Sequence, residues 1–215
     1  MKPWIAMGSV GCLASLLLAT AACLNLNKSY PEKRSFVLDV SSESREPAPE
    51  ATMVLKISKI RVSPLFMGRA MVYRVGEFQY ENDFYDEWFI SPGALLTQQF
   101  HDWLSKSGRF RLVLGGADHI EPTHLLEGRV AEFYGDYRLA DAPKAIFGIG
   151  LLLLDGLNER QVIFRRTYHQ EVPLAERSPD ALAGGLSQAV RLVLVDLERE
   201  LAEIAVRPVP ASSSR

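Results

Sequence analysis

The first 25 residues contain the feature that most restricts this chain, an apolar segment that ends in small residues and a cysteine. Lys2 is the only charge before Lys28, and the apolar stretch is densest from Leu13 to Ala22, directly before Cys23. A positive start, a short hydrophobic segment and small residues at a cleavage site are typical of a secretory signal. A thiol directly after the small residues indicates a bacterial lipoprotein, in which Cys23 carries a diacylglyceryl group and, after cleavage, an N-acyl chain.

A single membrane-spanning anchor is the alternative for this segment, since residues 4–22 are uncharged and just long enough to cross a bilayer. Small and polar residues interrupt the run, which favours a cleaved signal; these are Gly8, Ser9, Gly11, Ser15 and Thr20. Thr20 also departs from the usual lipobox, which has a large aliphatic residue three places before the cysteine. Because Leu24 rather than Asp follows Cys23, we expect sorting to the periplasmic leaflet of the outer membrane.

The composition of the remaining chain fits one folded domain on a short tether. Of 215 residues, 24 are basic and 26 acidic, which gives a net charge of −2 and no basic excess for binding nucleic acid. The charged share of 23% is ordinary for a globular protein, and two cysteines are too few for a disulfide framework or a cysteine-rich metal site. We therefore expect a signal peptide at 1–22, a lipidated tether at 23–34, a domain at 35–206 and a disordered tail at 207–215.

Hydrophobic periodicity predicts two helices and a set of strands. Ser91 and Gly108 bound one helix, and the other begins at Ser178 and carries an apolar stripe from Leu182 to Ile204, about six turns. Shorter apolar runs predict strands at 36–40, 54–62, 71–75, 110–114, 125–134, 145–154 and 161–172, the last two joined as a hairpin by a turn at 156–159. This pattern predicts an α+β fold, a two-layer sandwich of one mixed or antiparallel sheet with both amphipathic helices on one face.

No residue pattern in the sequence indicates a catalytic site or a metal site. The four histidines stand at no metal-ligand spacing, and acylation of Cys23 leaves no thiolate ligand in the mature chain. Asp83, Asp86 and Glu87 are grouped closely enough for general acid–base work, but no partner set accompanies them and a solvated loop is favoured. We expect no enzyme activity, no metal and no cofactor beyond the acyl chains on Cys23.

Aromatic residues are concentrated between positions 66 and 89, where eight of the chain's twenty occur. They are Phe66, Tyr73, Phe78, Tyr80, Phe84, Tyr85, Trp88 and Phe89, and much of this segment is expected to be loop. The rings either close one end of the core or form a surface for a partner, on which Tyr, Trp and Arg commonly act as anchors. Both interpretations stay open, with Tyr73 and Trp88 placed nearer the core. The candidate partner-binding residues are Arg74, Phe84, Tyr85 and Trp88.

Short motifs are spread along the chain from residue 71 to residue 182. They are Met71-Val72-Tyr73-Arg74, Tyr80-Glu81, Trp88, Ser91-Pro92, Ser107-Gly108-Arg109-Phe110, Leu126-Glu127-Gly128-Arg129-Val130, Glu132-Phe133-Tyr134 and Asp180-Ala181-Leu182. In this order they resemble the ABC-type transport auxiliary lipoprotein family, over about residues 36–205. A long insertion at 41–52 departs from the family pattern.

The resemblance implies an outer-membrane lipoprotein that serves as accessory or docking component of an MCE-type system, which carries phospholipid or other hydrophobic compounds between membranes. Its implied partners are an MCE-domain protein and, through it, an inner-membrane ABC permease and ATPase; a ring-like homo-oligomer is implied as well. The chain itself has no GxxxxGK[ST] loop for ATP. Two other hypotheses remain, a structural envelope lipoprotein that contacts the cell wall or an assembly machine, and an envelope hydrolase that uses the carboxylates from Asp83 to Glu87.

Overall fold

One open mixed sheet carries two helices. The structure, a computed structural model, describes residues 32–42, 51–116, 118–158 and 160–205. Within these residues the strands are β1 (Arg34–Phe36), β2 (Val54–Ile57), β3 (Arg61–Val62), β4 (Ala70–Arg74), β5 (Tyr80–Trp88), β6 (Leu112–Leu114), β7 (His124–Asp136), β8 (Lys144–Asp155) and β9 (Val162–Pro173), and the helices are α1 (Pro92–Lys106) and α2 (Pro179–Ala205). The predicted α+β class is confirmed. The predicted signal peptide, most of the tether and the tail from residue 207 lie outside the described residues.

Strand β7 is the central strand of the sheet and pairs with four other strands. Along one edge it pairs antiparallel with β8 over its full length, and β8 pairs antiparallel with β9. Along the other edge it pairs in parallel with β2, β3 and β4 in succession, through Leu55, Arg61 and Tyr73. Strand β6 adds to β2, and β5 followed by β1 adds to β4. The sheet therefore has one half made of long hairpins and one half assembled from short strands.

The strand predicted over residues 54–62 is interrupted in the middle. The backbone N–H of Ser58 still donates to Leu126 in β7 (2.9 Å), but the N–H of Ile60 donates to the hydroxyl of Thr97 in α1 (2.9 Å). A strand continues only where its backbone groups bond to the sheet. The run therefore divides into β2 and β3.

The first strand also differs from the prediction, which placed it at 36–40. Leu38 and Val40 are buried, but helix side chains hold this segment. Gln99 of α1 donates to the carbonyl of Leu38 (3.2 Å) and accepts from the N–H of Val40 (3.3 Å), and Ser187 of α2 accepts from the N–H of Asp39 (3.1 Å). The strand itself lies earlier, as β1 beside β5.

The prediction of loop within 66–89 is wrong for residues 80–88, which form β5. The segment contains several poor strand formers, Asn82, Asp83 and the acidic residues after them. They obscure the alternation of apolar and polar residues by which a strand is recognised in a sequence. The pairing with β4 also has an irregularity between Ala70 and Val72, so the two strands do not alternate in step. Backbone pairing to β4 on one side and β1 on the other overrides the weak propensity of the segment.

Both helices begin where the sequence predicts. The N-cap of α1 is Ser91, although its side chain makes no capping hydrogen bond, and Gly108 follows the helix with φ 69°, the left-handed conformation that glycine allows. In α2 the hydroxyl of Ser178 accepts from the N–H of Ala181 (3.1 Å), which satisfies a free donor of the first turn.

The two helices cover the same side of the sheet, called here the helix face. Alternate residues of β8 pack beneath them, all 0–1% exposed: Ala145, Phe147, Ile149, Leu151 and Leu153. The predicted stripe of α2 is buried in the same core: Leu182, Leu186, Ala189, Val190, Val193, Leu197 and Leu201. The helices meet where Trp103 Nε1 of α1 donates to Glu198 of α2 (3.0 Å). Helix α2 lies over the long hairpins and α1 over the short strands.

The opposite side, called here the open face, has cover at its two ends. At the β4 end, Phe66 from the loop after β3 stacks on Tyr134 with ring centroids 5.4 Å apart. At the other end Val54, Leu114 and Leu154 are buried apart from the main core. The chain after β6 passes above this end, where Lys56 donates to the carbonyl of Asp118 (3.2 Å). Between the two ends, the alternate side chains of β7, β8 and β9 face solvent.

Candidate functional site

The predicted lipidation residue, Cys23, lies outside the described residues, and its acylation stays a prediction. The described chain enters the sheet at Arg34, the first residue of β1. Its Nε donates to Asp86 in β5 (2.7 Å) and its Nη1 to Asp180 in the first turn of α2 (3.1 Å). Arg34 therefore joins the start of the domain to both a strand and a helix.

The aromatic residues along β5 differ in burial, because the irregular pairing with β4 breaks the simple alternation of the strand. Trp88 is 2% exposed, and its ring centroid lies 5.2 Å from that of Phe133 on the helix face. Phe84 is 73% exposed and packs edge-on against the partly exposed ring of Tyr85, 5.0 Å away. Each interpretation of the cluster thus fits different residues. Trp88 belongs to the core and offers no surface to a partner, which corrects its place among the candidate binding residues.

A group of exposed apolar residues lies along the sheet edge formed by β1 and β5, called here the β1–β5 edge surface. Phe84 and Tyr85 lie along β5, and Phe89 and Val37, both more than half exposed, follow the ends of β5 and β1. Lys33 places its Nζ 5.4 Å from the centroid of the Phe84 ring, a cation–π arrangement. A concentration of apolar side chains at one place on a surface indicates an interaction site more than single exposed residues do.

Arg74 is engaged in the turn between β4 and β5. Its Nε donates to the carbonyl of Gly76 (3.3 Å), its Nη2 donates to the carbonyl of Glu77 (2.7 Å), and its guanidinium lies 5.7 Å from the ring centroid of Tyr80. These contacts shape the turn. They leave the role of Arg74 in partner binding a prediction.

The three grouped carboxylates are each held by a different neighbour. Asp83 accepts from the hydroxyl of Tyr73 (2.9 Å), Asp86 accepts from Arg34, and Glu87 accepts from Arg69 (2.5 Å). Burial first, and then the hydrogen bond to Asp83, raise the pKa of Tyr73, so this hydroxyl stays protonated and keeps donating. These carboxylates tie strands together and provide no free pair for acid–base chemistry.

The open face carries a titratable cluster that the sequence did not reveal. His169 Nδ1 lies 2.8 Å from Glu132, its Nε2 lies 3.3 Å from Glu171, and Lys144 donates to the other oxygen of Glu171 (2.7 Å). Burial lowers the pKa of His169, but the hydrogen bonds that its ring donates to Glu171 and Glu132 outweigh this effect, and the net pKa is raised. Gly148 lies beside this cluster, and a Cβ there would come within 2.5 Å of the Glu132 carboxylate. Every charge in the cluster therefore has a partner.

A shallow groove of about 460 Å³ runs between α1 and β2. Its lining residues are Ile57, Lys59, Ala94, Thr97, Gln98, His101 and Gly115. Among the residues that the structure describes, no group of three His, Cys, Asp or Glu side chains is placed to hold a metal ion. In the same residues, neither helix has an apolar stretch long enough to cross a bilayer.

Comparison with known proteins adds a family and a fold. The model of the family described as ABC-type transport auxiliary lipoprotein component matches residues 36–198. Curated proteins give no match. The crystal structure of protein XCC0632 from Xanthomonas campestris is similar with a TM-score of 0.70 at 17% identity, covering 80% of this chain and 95% of that one. A second solved structure, of an uncharacterized protein, gives 0.60 at 18% identity over 75% and 99% of the chains. The hypothetical protein CT253 from Chlamydia trachomatis gives 0.52 at 8% identity over 73% and 99%.

At these identities the solved structures show the fold alone. The family model shows more than the fold, because its match begins at the last residue of β1, includes strands β2 to β9 and ends within α2. The motifs between residues 71 and 182 all fall inside it. The resemblance read from those motifs is confirmed, and the chain belongs to the family of ABC-type transport auxiliary lipoprotein components.

Proposed function

We propose that this lipoprotein is a docking component of a system that moves lipid or other hydrophobic compounds between the two membranes of a Gram-negative envelope. Its direct partner is an MCE-domain protein, and through that protein it serves an ABC permease with its ATPase. Membership of a family of ABC transport auxiliary lipoproteins supports this assignment. A docking role also agrees with the grouped carboxylates, which are occupied in contacts between strands.

The β1–β5 edge surface is the observation that carries the proposal. Phe84 is 73% exposed, yet β5 fixes its backbone and Tyr85 limits its ring to an edge-on position. Aromatic side chains that are ordered before binding make strong anchors, because little conformational entropy is lost when the partner arrives. We assign Phe84 and Tyr85 as the central contacts. Arg74 and Trp88 support the surface through the turn and the core.

Anchoring completes the proposal. Acyl chains on Cys23 fix the protein in the periplasmic leaflet of the outer membrane, the address expected from Leu24, since two or more chains are needed for stable anchoring. The ten residues from Leu24 to Lys33 span at most roughly 35 Å when fully extended. The β1–β5 edge surface lies directly at the end of this tether, because Lys33 contacts Phe84.

The docking surface is tested by replacing Phe84 and Tyr85 with Ala and co-purifying the lipoprotein with the MCE-domain protein from mild detergent. Two anchor residues are expected to contribute at least 2 kcal/mol, so the double variant should retain less than a tenth of the partner. The melting temperature should change little, because neither side chain is buried. The matched control is Phe78→Ala, which removes a 91% exposed ring in the β4–β5 turn and should keep the partner. Undiminished co-purification of the double variant, or a fall of many degrees in its melting temperature, would contradict the assignment.

The anchor is tested with Cys23→Ser in cells given labelled palmitate. We expect loss of the label and accumulation of the unprocessed precursor, since the variant has no thiol to acylate. Cys12→Ser is the matched control and should be labelled as the unchanged protein is, because too little apolar sequence precedes that cysteine for it to be the acceptor. Label that persists in Cys23→Ser would place the lipid elsewhere.

A further inference from the structure

On one half of the open face, two of three arginines have no ion-pair partner among the described residues. The half around Gly148 is electrically satisfied, with His169 and Lys144 paired to Glu132 and Glu171. The neighbouring half centres on Gly150. It brings together three arginines from three strands, all with exposed side chains.

The register of the sheet places these residues in one row across four strands. Arg61 of β3 is opposite Arg129 of β7, Arg129 is opposite Gly150 of β8, and Gly150 is opposite Thr167 of β9. Residues that are opposite in register point to the same face. Arg165, two positions before Thr167, also lies on this face, opposite Leu152.

The charges of this row do not balance within the described part of the chain. Arg61 has one long contact, 3.8 Å to Glu127. Arg129 and Arg165 have no ion pair with any side chain that the structure describes. Like charges directly opposite each other on adjacent strands are destabilising. An anion placed between the arginines would remove this repulsion.

Gly150 leaves room for such an anion. A Cβ at this position would meet only the carbonyl oxygen of Arg129, 3.9 Å away, whereas at Gly148 the same atom would meet the carboxylate of Glu132. Close packing therefore explains why position 148 has a glycine, but it does not explain the glycine at position 150. Glycine inside a strand weakens it and often marks a place where a ligand comes close to the backbone.

We propose that the row formed by Arg61, Arg129, Gly150, Thr167 and Arg165 binds the headgroup phosphate of a phospholipid. Guanidinium groups donate in a planar fork that matches phosphate oxygens, and the hydroxyl of Thr167 adds a donor. Strands β7 and β9 are two strand spacings apart, roughly 10 Å, so that a phosphate above Gly150 is flanked by arginines on both sides.

An apolar strip beside the row accommodates the acyl chains. Leu152 is partly exposed next to Gly150, and Ile163 and Val162 are 37% and 60% exposed towards the end of the β8–β9 hairpin. A cationic row joined to an apolar strip matches the two parts of a phospholipid, which favours lipid over free phosphate. The inference rests on the proposed function, since it assigns to this chain a binding site for the lipid that the transport system moves.

Native mass spectrometry of the full-length lipoprotein, released from mild detergent, tests the site. Three probes are added in turn: phosphatidylglycerol, diacylglycerol, which lacks the phosphate, and inorganic phosphate, which lacks the chains. We expect one phosphatidylglycerol per chain, with at least tenfold less binding of the other two probes. Equal binding of diacylglycerol would overturn the role of the arginines, and equal binding of inorganic phosphate would overturn the choice of lipid.

Variants locate the binding. The double variant Arg129→Gln and Arg165→Gln should lose at least tenfold in bound phosphatidylglycerol. The matched control is the double variant Lys106→Gln and Arg191→Gln, at exposed positions of the two helices and with the same change in charge, which should bind as the unchanged protein does. Gly150→Val should also lose binding while keeping its melting temperature, because valine favours a strand and its Cβ meets no close atom. Undiminished binding in both the double variant and Gly150→Val would overturn the proposal. If the unchanged protein co-purifies the MCE-domain protein yet takes up no phosphatidylglycerol, this inference fails and the docking function stands.

Discussion

The helix face and the open face are formed by the same strands, yet they differ in burial and in charge. On β8 the residues that point to the helices are apolar and 0–1% exposed, and the residues between them include Gly148, Gly150 and Leu152 on the solvent side. The apolar side chains of the helix face are buried under α1 and α2. On the open face the charges around Gly148 are held in ion pairs, whereas Arg129 and Arg165 have no ion pair within the described part of the chain. The contrast indicates that the helix face supplies most of the buried core, whereas the middle of the open face is exposed and can be reached by a ligand.

The largest expected effect comes from the helix face. Phe147→Ala removes a fully buried ring, and we expect the free energy of unfolding to fall by about 3–5 kcal/mol. Thr167→Ala on the open face of the adjacent strand should change it by no more than about 0.5 kcal/mol. Urea denaturation followed by circular dichroism measures both. Similar losses for the two variants would break the distinction between the faces.

A pair of adjacent glycines in α2 sharpens the comparison. A Cβ at Gly185 would lie 2.9 Å from the Cβ of Ala145 and would also meet Leu174, so Gly185→Ala should destabilise the protein by about 1–3 kcal/mol. At Gly184 nothing lies within 4 Å, and Gly184→Ala should stabilise by up to about 1 kcal/mol because alanine is the better helix former. Thermal denaturation should move the two melting temperatures in opposite directions. A shift in the same direction would show that α2 does not pack as described.

The smallest expected effect belongs to the paired half of the open face. The pKa of His169 is raised above its ordinary 6.5, so its protonated form stabilises the fold fully below that pH, and the contribution is lost as pH rises through the raised pKa. The difference in melting temperature between the unchanged protein and His169→Gln should therefore be largest near pH 5.5 and should decline towards pH 9. Glu132→Gln should reduce this pH dependence. A ring titration of His169 by NMR with a pKa at or below 6.5 would contradict the description of the cluster.

The helices and the long hairpin were predictable from local pattern. The stripe of α2 and the alternation of β8 and β9 repeat often enough to be recognised without knowing their neighbours. The β5 strand and the break between β2 and β3 were not, because they depend on backbone bonds to partners far away in sequence, such as Ile60 to Thr97.

The open face was hidden by the register of β7. The irregularity between Val130 and Glu132 shifts the alternation, so that Val130 and Phe133, three residues apart, point to the same helix face. A strict count of every second residue from Val130 would place Phe133 on the wrong side. The sequence left both interpretations of the aromatic cluster open and placed Trp88 among the candidate binding residues as well as near the core, so that only the fold separated buried Trp88 from exposed Phe84. The row around Gly150 required the pairing of four strands to become visible.

Strand β1 is the place where a pull on the N-terminal side of the domain would first act. It is three residues long and is the first element in the described part of the chain, and Arg34 within it contacts both Asp86 and Asp180. A force that pulls on β1 from its N-terminal side is transmitted through the contacts of Arg34 to β5 and α2 before it acts on β7. Because β1 has only three residues and pairs with β5 alone, a load applied from the N-terminal side acts on these few contacts before it acts on the long pairing of β7, β8 and β9.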